Sequence, residues 1–309
     1  MFCRGLPNRI QESRMGDPCE IHRNNEPLRH NTNKNPNHKR PHITQQMSCE
    51  NCVTGHLHAG TPTGQVTTVG ELPCYVAKPQ DGNKKKSLLF ITDIFGWEIP
   101  NARLLADEYA KEGFYVYVPD FFENDSFPIE HLKVIAPLPS DPKAEGLIET
   151  VIDKGPTMAQ FGVWSVKHRE SVVRPLMDKV IDSIWSDPQT SSLFVIGFCW
   201  GGYHSTVLAQ EGTKVDAAIA CHPAGVDGKI LEKLTKPYSL QVGALDSFFD
   251  DKAANDAREV LSKMKITYQV NIYPGQVHGF AVRGDLSQRD VKEGKEKCFR
   301  SCVQFLNSL

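Results

Sequence analysis

Apolar residues follow two patterns along the chain, and these patterns predict two kinds of element. Short continuous runs rich in Val, Ile, Leu and Phe are typical of strands in a sheet that is covered on both faces. They occur at residues 87–92, 114–118, 193–196, 215–220, 238–242 and 268–272. Between them, apolar residues recur every three or four positions with charges in between, which predicts helices. These stretches are residues 100–112, 164–185, 201–210, 252–264 and 287–306.

The alternation of strands and helices predicts one α/β domain with a mainly parallel central sheet and helices on both faces. Residues 65–69 and 72–78 are β-rich around a turn and predict a short hairpin before that sheet. In such sheets ligands bind at the carboxyl ends of the strands. Four candidate residues each follow a predicted strand: Asp93, Cys199, Asp246 and His278. We therefore expect their side chains to meet at that edge.

Cys199 lies in the sequence Gly197-Phe198-Cys199-Trp200-Gly201, where an apolar strand ends and a helical pattern begins. A nucleophile elbow needs glycine two residues to either side, because its backbone is strained and strand and helix approach closely. The turn exposes the side chain and places it at a helix N-terminus, whose unpaired N–H groups favour a thiolate. We predict that Cys199 is a nucleophile; the alternative is a buried thiol in a tight turn.

Cys199, Asp246 and His278 occur in the order nucleophile, acid, histidine, which is the order of the α/β-hydrolase triad. In this interpretation His278 takes the thiol proton and later serves the leaving group. Asp246 fixes the imidazole tautomer and stabilises its charged form. Each residue alone would be an ordinary cap, surface group or core thiol, so the prediction depends on the three together.

An acyl-transfer site also needs two N–H donors for the oxyanion. One is expected from the residue after the nucleophile, Trp200, and one from the loop after an early strand, where Ile94 is the candidate. Phe95 and Trp97 in the same loop are candidates to line an acyl pocket. The alternative is that both aromatic rings only pack the end of the strand.

Composition narrows the possible functions. The chain has 309 residues and a net charge of −2, so no overall field gathers nucleic acid or an anionic membrane. We find neither an apolar run long enough for a membrane span nor an apolar secretory signal. The cysteine count of nine is odd and favours reduced thiols over a disulfide framework. We expect a soluble cytoplasmic protein, a monomer or homodimer, that acts on a small molecule.

Residues 1–46 differ from the rest of the chain, because Asn, Arg, His and Pro dominate and hardly any apolar residue is present. This composition predicts a disordered polar arm, followed by a single domain at residues 47–309. A mitochondrial leader is the alternative for the arm, although Glu12, Asp17 and Glu20 interrupt it.

Cysteine and histidine also cluster elsewhere. Cys49 and Cys52, with His56 and His58, have zinc-ligand chemistry, but a second pair well separated in sequence is absent, so we predict no metal site.

Three further cysteines receive a structural interpretation. Cys298 and Cys302 are four residues apart in the last predicted helix and are expected to pack on one face of it. Cys221 precedes His222 after a strand, but no flanking glycines build an elbow there. We therefore predict that this pair is structural.

Several motifs together resemble the dienelactone hydrolase (carboxymethylenebutenolidase) family, and its eukaryotic branch most. The motifs are Asp93-Ile94-Phe95-Gly96, Gly197-Phe198-Cys199-Trp200-Gly201-Gly202, the turn at residues 243–246 and His278-Gly279-Phe280. The resemblance covers the chain from about Gly55 to the C-terminus. It implies an α/β-hydrolase fold without a large lid, no metal or cofactor, and enol-lactones or activated esters as substrates. It also makes Phe280 a candidate substrate-binding residue.

The chain departs from the bacterial pattern of this family at two positions. Bacterial members carry Glu where this chain has Asp93, and the resemblance implies that this carboxylate helps to activate the thiol. They also carry an arginine four residues after the histidine to hold a substrate carboxylate, where this chain has Val282. Arg283 is next and is the candidate for that role; the alternative is a surface residue.

These observations favour a cysteine-dependent hydrolase of small lactones or activated esters that works through an acyl-enzyme. One alternative is a catalytically idle α/β-hydrolase that binds small molecules or partner proteins. Another is a thiol redox protein, but Cys199 has no resolving cysteine near it in sequence.

Overall fold

The structure of the protein, a computed structural model, describes residues 57–135 and 147–309. The strands are β1 Gln65–Val69, β2 Leu72–Ala77, β3 Lys86–Ile91, β4 Tyr115–Pro119, β5 Ser192–Phe198, β6 Ala217–Cys221, β7 Tyr238–Gly243 and β8 Tyr268–Tyr273. The helices are α1 Pro100–Lys111, α2 Leu132–Ile135, α3 Leu147–Lys167, α4 Glu170–Trp185, α5 Trp200–Leu208, α6 Gly228–Leu231, α7 Asp251–Ser262, α8 Phe280–Arg283 and α9 Arg289–Asn307.

The predicted arm at residues 1–46 lies outside the described residues, and so do Cys49, Cys52 and His56 of the weak zinc signal. The fourth residue of that signal, His58, places its Nε2 atom 2.9 Å from the carbonyl oxygen of Gly284. None of the described helices is long and apolar enough to cross a membrane.

The strands form one eight-stranded sheet in the order β1-β2-β4-β3-β5-β6-β7-β8. β1 and β2 are antiparallel, as are β2 and β4, and every other neighbouring pair is parallel. This is the α/β-hydrolase arrangement predicted from the sequence, with the N-terminal hairpin at one edge. The parallel strands end at a common edge, which places the loops after β3, β5, β7 and β8 together.

Helices cover the sheet on both faces because the central strands are apolar on both faces. In β3, Leu88 and Phe90 point into one core, which α1 and α9 cover. Leu89 and Ile91 point into the other core, which α4 and α7 cover. The alternation follows from the pleat, since successive side chains of a strand face opposite ways.

The sequence predicted a single helix over residues 164–185, but the structure divides this stretch between two helices. Apolar spacing continues across residues 161–177, but the backbone of Arg169 is extended (φ −67°, ψ 158°) and separates α3 from α4. Helix α3 begins well before residue 164. Together with α2 it forms a segment between β4 and β5 that the sequence analysis did not foresee.

The α2–α3 segment has its own small apolar cluster at the carboxyl edge of the sheet. Leu132 and Trp164 from this segment pack with Ile94 and Phe95 from the loop after β3 and with Phe122. Such a satellite cluster fixes a surface element without joining the main cores. Here it holds a helical wall beside the ends of β3 and β5.

The prediction that Cys298 and Cys302 pack on one face of the last helix is confirmed, because both are buried in the core between α9 and the sheet. Cys221 at the end of β6 lies in the same core, and the sulfur atoms of the three residues lie within 4.8 Å of one another. All three are free thiols.

Candidate active site

The turn predicted around Cys199 is present in the structure. Cys199 has φ 55° and ψ −111°, a conformation that L-residues adopt only when surrounding structure enforces it. The two glycines are required by space: a Cβ on Gly197 would lie 1.8 Å from the carbonyl oxygen of Gly201, and one on Gly201 would lie 2.2 Å from that of Ile91. The strained turn therefore directs the thiol away from the sheet. The prediction that the turn exposes the side chain is wrong, however, since Cys199 is only 8% exposed.

Hydrogen bonds fix both sides of this turn. The amide of Cys199 donates to the carbonyl of Cys221 at 3.1 Å, which ties the turn to the neighbouring strand. The carbonyl oxygen of Cys199 accepts hydrogen bonds from the amides of Gly202 and Tyr203, which lie in the first turn of helix α5. The thiol thus stands at a helix N-terminus, where unpaired N–H groups favour negative charge.

His278 and Asp246 form a buried pair. The Nδ1 atom of His278 lies 3.0 and 2.9 Å from the two carboxylate oxygens of Asp246. Asp246 also accepts from the backbone amide of Phe248 at 2.8 Å, so its orientation is fixed from two sides. Because Nδ1 must donate to a carboxylate, the Nε2 atom is the one left for the thiol and the substrate. Among the described residues it meets no hydrogen-bond partner.

The charge state of His278 follows from its neighbours. Burial lowers the pKa of the imidazole, but the electrostatic interaction with Cys199 and then the hydrogen bond that His278 donates to Asp246 outweigh it and raise the pKa to about 9. Cys199 and His278 line the same cavity. The arrangement therefore favours the imidazolium form of His278 beside the thiol.

The two candidate oxyanion donors, Ile94 and Trp200, flank Cys199 along the cavity wall. Neither backbone amide is a donor in the hydrogen bonds among the described residues. Trp200 is the first residue of α5, where amides have no partner within the helix. Both amides are thus free for a substrate oxygen.

Asp93 and Arg283 form a second buried pair. The Nε atom of Arg283 donates to Asp93 Oδ2 at 2.5 Å, and the side chain of each residue is only 5% exposed. The guanidinium carbon lies 4.9 Å from the ring centroid of Phe95, a cation–π contact. Gly279 allows this packing, because a Cβ there would lie 2.7 Å from Arg283 Nη2.

This pair bears on two sequence-based interpretations, and it contradicts the alternative that Arg283 lies on the surface. Arg283 is not a surface residue, since it is 6% exposed and contributes to the cavity wall. Asp93, the candidate thiol-activating carboxylate, does not line the cavity that holds Cys199; its Oδ1 accepts from the amide of Phe95 at 3.0 Å, and its Oδ2 binds Arg283.

The cavity at Cys199 has a volume of about 270 Å³. Phe95 lines it, as the sequence analysis proposed, but Trp97 and Phe280 do not. Trp97 packs against the core beneath α1 and α9. Phe280 is 1% exposed and lies against the rings of Tyr273 and His222, because α8 turns it toward the sheet.

Several cavity residues were missed from the sequence. Helix α3 contributes Phe161, Trp164 and Ser165, and His168 follows directly after it; their spacing of three, four and seven places the four side chains on one side. That spacing was visible, but the prediction started the helix at residue 164. Phe248, in the loop after β7, was missed because a single aromatic residue in a loop has no pattern.

A buried histidine lies behind the His278–Asp246 pair. The ring of His222 is 5.0 Å from that of His278, and both of its nitrogens lack a hydrogen-bond partner among the described residues. Burial, and then the charges of His278 and Arg283, hold the pKa of His222 well below its usual value. His222 is therefore neutral and adds no second positive charge beside His278. The prediction of a structural role for Cys221 and His222 agrees with their complete burial.

Comparison with known proteins decides the family. Residues 72–309 match the dienelactone hydrolase family. The chain belongs to the dienelactone hydrolase family. This assignment makes it an enzyme, a hydrolase of carboxylic esters or lactones, as the sequence motifs had indicated.

Two curated relatives extend over most of this dienelactone hydrolase family member. The hydrolase pyvD of Aspergillus violaceofuscus is 27% identical over 83% of this chain and 94% of its own length. The carboxymethylenebutenolidase homolog of Mus musculus is 24% identical over 83% of this chain and 95% of its own. Among solved structures, the dienelactone hydrolase of Anabaena variabilis superposes with a TM-score of 0.54 at 13% identity, covering 81% of this chain and 99% of that one. That structural likeness supports the fold.

Proposed function

We propose that the protein hydrolyses esters or lactones with Cys199 as its nucleophile and passes through an acyl-enzyme. The observation that carries the proposal is the meeting of three features at one cavity. A strained turn presents a thiol at a helix N-terminus, a carboxylate-paired imidazole lies beside it, and two backbone amides have no other partner.

The first half of the reaction forms a thioester. The thiolate of Cys199 attacks the substrate carbonyl, and the amides of Ile94 and Trp200 stabilise the oxyanion that develops. The imidazolium of His278 then gives its Nε2 proton to the leaving alkoxide as the carbon–oxygen bond breaks. With a lactone, the released hydroxyl stays attached to the acyl group.

The second half consumes water. His278, now neutral, takes a proton from a water molecule that attacks the thioester, and the tetrahedral intermediate expels the thiolate. Asp246 keeps Nδ1 protonated and stabilises the imidazolium that forms again. Asp93 acts in this scheme as a positioning residue that holds Arg283 against Phe95, since its carboxylate lies away from the cavity.

Cysteine substitution tests the proposal directly. We expect Cys199→Ala to abolish hydrolysis of 4-nitrophenyl acetate while the protein stays folded. Cys199→Ser should lose on the order of 10²-fold or more in kcat, because a hydroxyl is not ionised beside the imidazole and needs full proton removal. Cys298→Ala is the matched control, since this thiol is buried away from the cavity, and it should keep turnover.

A trapping experiment addresses the intermediate. Acid quenching during steady-state turnover, followed by peptide mass spectrometry, should find an acetyl group on the peptide that contains Cys199. Hydrolysis that persists in Cys199→Ala, or an acyl group found elsewhere, would contradict the proposal.

A further inference from the structure

The cavity above Cys199 is walled mainly by aromatic and aliphatic side chains. Phe161 and Trp164 of α3 are nearly parallel, with an interplanar angle of 14°, and Trp200 of α5 lies 6.4 Å from Trp164 between ring centroids. Ile94 and Leu132 complete this side of the cavity. We infer that this wall binds a planar, uncharged aromatic group of the ester or lactone, an inference that rests on the proposed hydrolase function.

The titratable groups at the cavity have partners, although one nitrogen of Arg283 has none. Arg283 donates from Nε to Asp93, while its buried Nη2 has no hydrogen-bond partner among the described residues. His168 lies 3.1 Å from Asp125. Glu170 accepts a hydrogen bond from the hydroxyl of Tyr203 at 2.6 Å. A substrate carboxylate that reached Arg283 Nη2 would share one guanidinium with Asp93, so two buried negative charges would have a single positive partner, which is costly.

Two further basic residues line the cavity, and neither offers a buried positive charge. Burial, with a smaller contribution from Arg174, lowers the pKa of His204 to about 3, so its ring is neutral and packs 4.1 Å from Trp200. Arg169 is exposed at the cavity edge, and its Nη1 donates to the carbonyl of Val166. The interior thus favours neutral over anionic ligands.

An exposed phenylalanine at the reacting end supports the same class of ligand. Phe248 is 43% exposed although its ring lies 4.7 Å from that of the catalytic His278. An exposed apolar ring at the mouth of a reactive cavity gains free energy when a ligand covers it. The cavity volume of about 270 Å³ is close to the lower end of small-molecule sites, which suits one or two fused rings.

Two comparisons of substrates test the inference, one for the aromatic group and one for the negative charge. Methyl 2-naphthoate carries the aromatic group on the acyl side and 2-naphthylmethyl acetate carries it on the alcohol side, with ethyl butyrate as the small aliphatic ester. All three release a primary alkyl alcohol, so their leaving groups are similar. Phenyl acetate and 4-carboxyphenyl acetate differ only in a carboxylate. We expect kcat/KM for at least one naphthyl ester to exceed that for ethyl butyrate by about tenfold or more, and the carboxylate to lower kcat/KM.

The variant Phe161→Ala tests whether the aromatic wall binds the substrate, and Phe299→Ala is its matched control. Both phenylalanines are half-buried on helices, but Phe299 packs against Tyr109, far from the cavity lining. Phe161→Ala should lower the naphthyl preference about fivefold, mainly through KM, whereas Phe299→Ala should leave the preference unchanged. Equal effects of the two variants, or faster hydrolysis of the carboxylated ester, would overturn the inference.

Binding separates this inference from the proposed mechanism. Isothermal titration of methyl 2-naphthoate into Cys199→Ala protein should show binding that Phe161→Ala weakens, even if no ester is turned over. Cysteine-dependent turnover with no naphthyl preference refutes the aromatic wall alone. Naphthyl binding without Cys199-dependent turnover refutes the proposed mechanism alone.

Discussion

Replacing Arg283 with Met removes the cation of the buried Asp93–Arg283 pair and keeps most of the side-chain volume. The sequence predicts that this residue holds a substrate carboxylate, with a surface position as the alternative. The structure excludes the surface position, because Arg283 is buried against Asp93 and Phe95, so we expect the largest effect of Arg283→Met on stability.

The magnitude follows from what the substitution leaves behind. Asp93 is 4% exposed, and without Arg283 its Oδ2 keeps no cationic partner among the described residues. Removing one member of a buried ion pair costs about 3–5 kcal/mol, most of it from the uncompensated charge that remains. We expect a loss of this size in the free energy of unfolding.

A double-mutant cycle separates the pair from other packing effects. Asp93→Asn should also destabilise the protein, because it leaves a buried guanidinium. The double variant should lose less than the sum of the single variants by about 2–3 kcal/mol, since it removes both charges together. Urea denaturation gives each value, provided that the dependence on urea stays the same across the set.

Arg289→Met is the matched control for these measurements. Arg289 pairs with Glu293 four residues along α9, but its side chain is 88% exposed. We expect Arg289→Met to leave the free energy of unfolding nearly unchanged, because solvent screens this exposed pair. If Arg283→Met were as mild as Arg289→Met, or if the cycle showed no coupling, the argument from the buried pair would be refuted.

Two further predictions concern the site. His278 has a pKa raised to about 9, so the stability it contributes is complete below its ordinary value of 6.5 and is lost as pH rises through about 9. Imidazole NMR should show the His278 pKa falling in Cys199→Ala, since Cys199 is the largest of the raising influences; an unchanged value would argue against the thiolate–imidazolium pair. Gly197→Ala should prevent folding or lower the free energy of unfolding by several kcal/mol, because its Cβ would meet the Gly201 carbonyl. Gly162→Ala, in helix α3 with open space around it, should instead raise the free energy of unfolding by about 0.5–1 kcal/mol. Chemical denaturation compares the two variants.

The sequence was sufficient where one local rule decides the outcome. Continuous apolar runs located the central strands to within one or two residues at most ends, because strands buried on both faces have little choice of pattern. The glycines around Cys199 located the strained turn for a similar reason. A Cβ at either position has no room, so the spacing alone carries the geometry.

Predictions from the sequence failed where packing between distant parts of the chain determines the position of a side chain or the end of a helix. Trp97 follows the same strand as Phe95, yet only Phe95 reaches the cavity, and no local rule separates the two rings. The break between α3 and α4 lies at Arg169, whose sequence neighbours are compatible with a continuous helix. The pairing of Asp93 with Arg283 joins residues 190 positions apart, which one sequence cannot reveal.

The helical wall between β4 and β5 has an evolutionary consequence. Phe161 and Trp164 belong to a chain segment separate from the loops that carry Cys199, Asp246 and His278. The described side chains of their helix pack in a separate small apolar cluster and do not belong to the two cores on the faces of the sheet. Substitutions, insertions or exchange of this segment can therefore change which substrate is accepted while the reacting groups stay in register, so that new specificities can arise without loss of the chemistry.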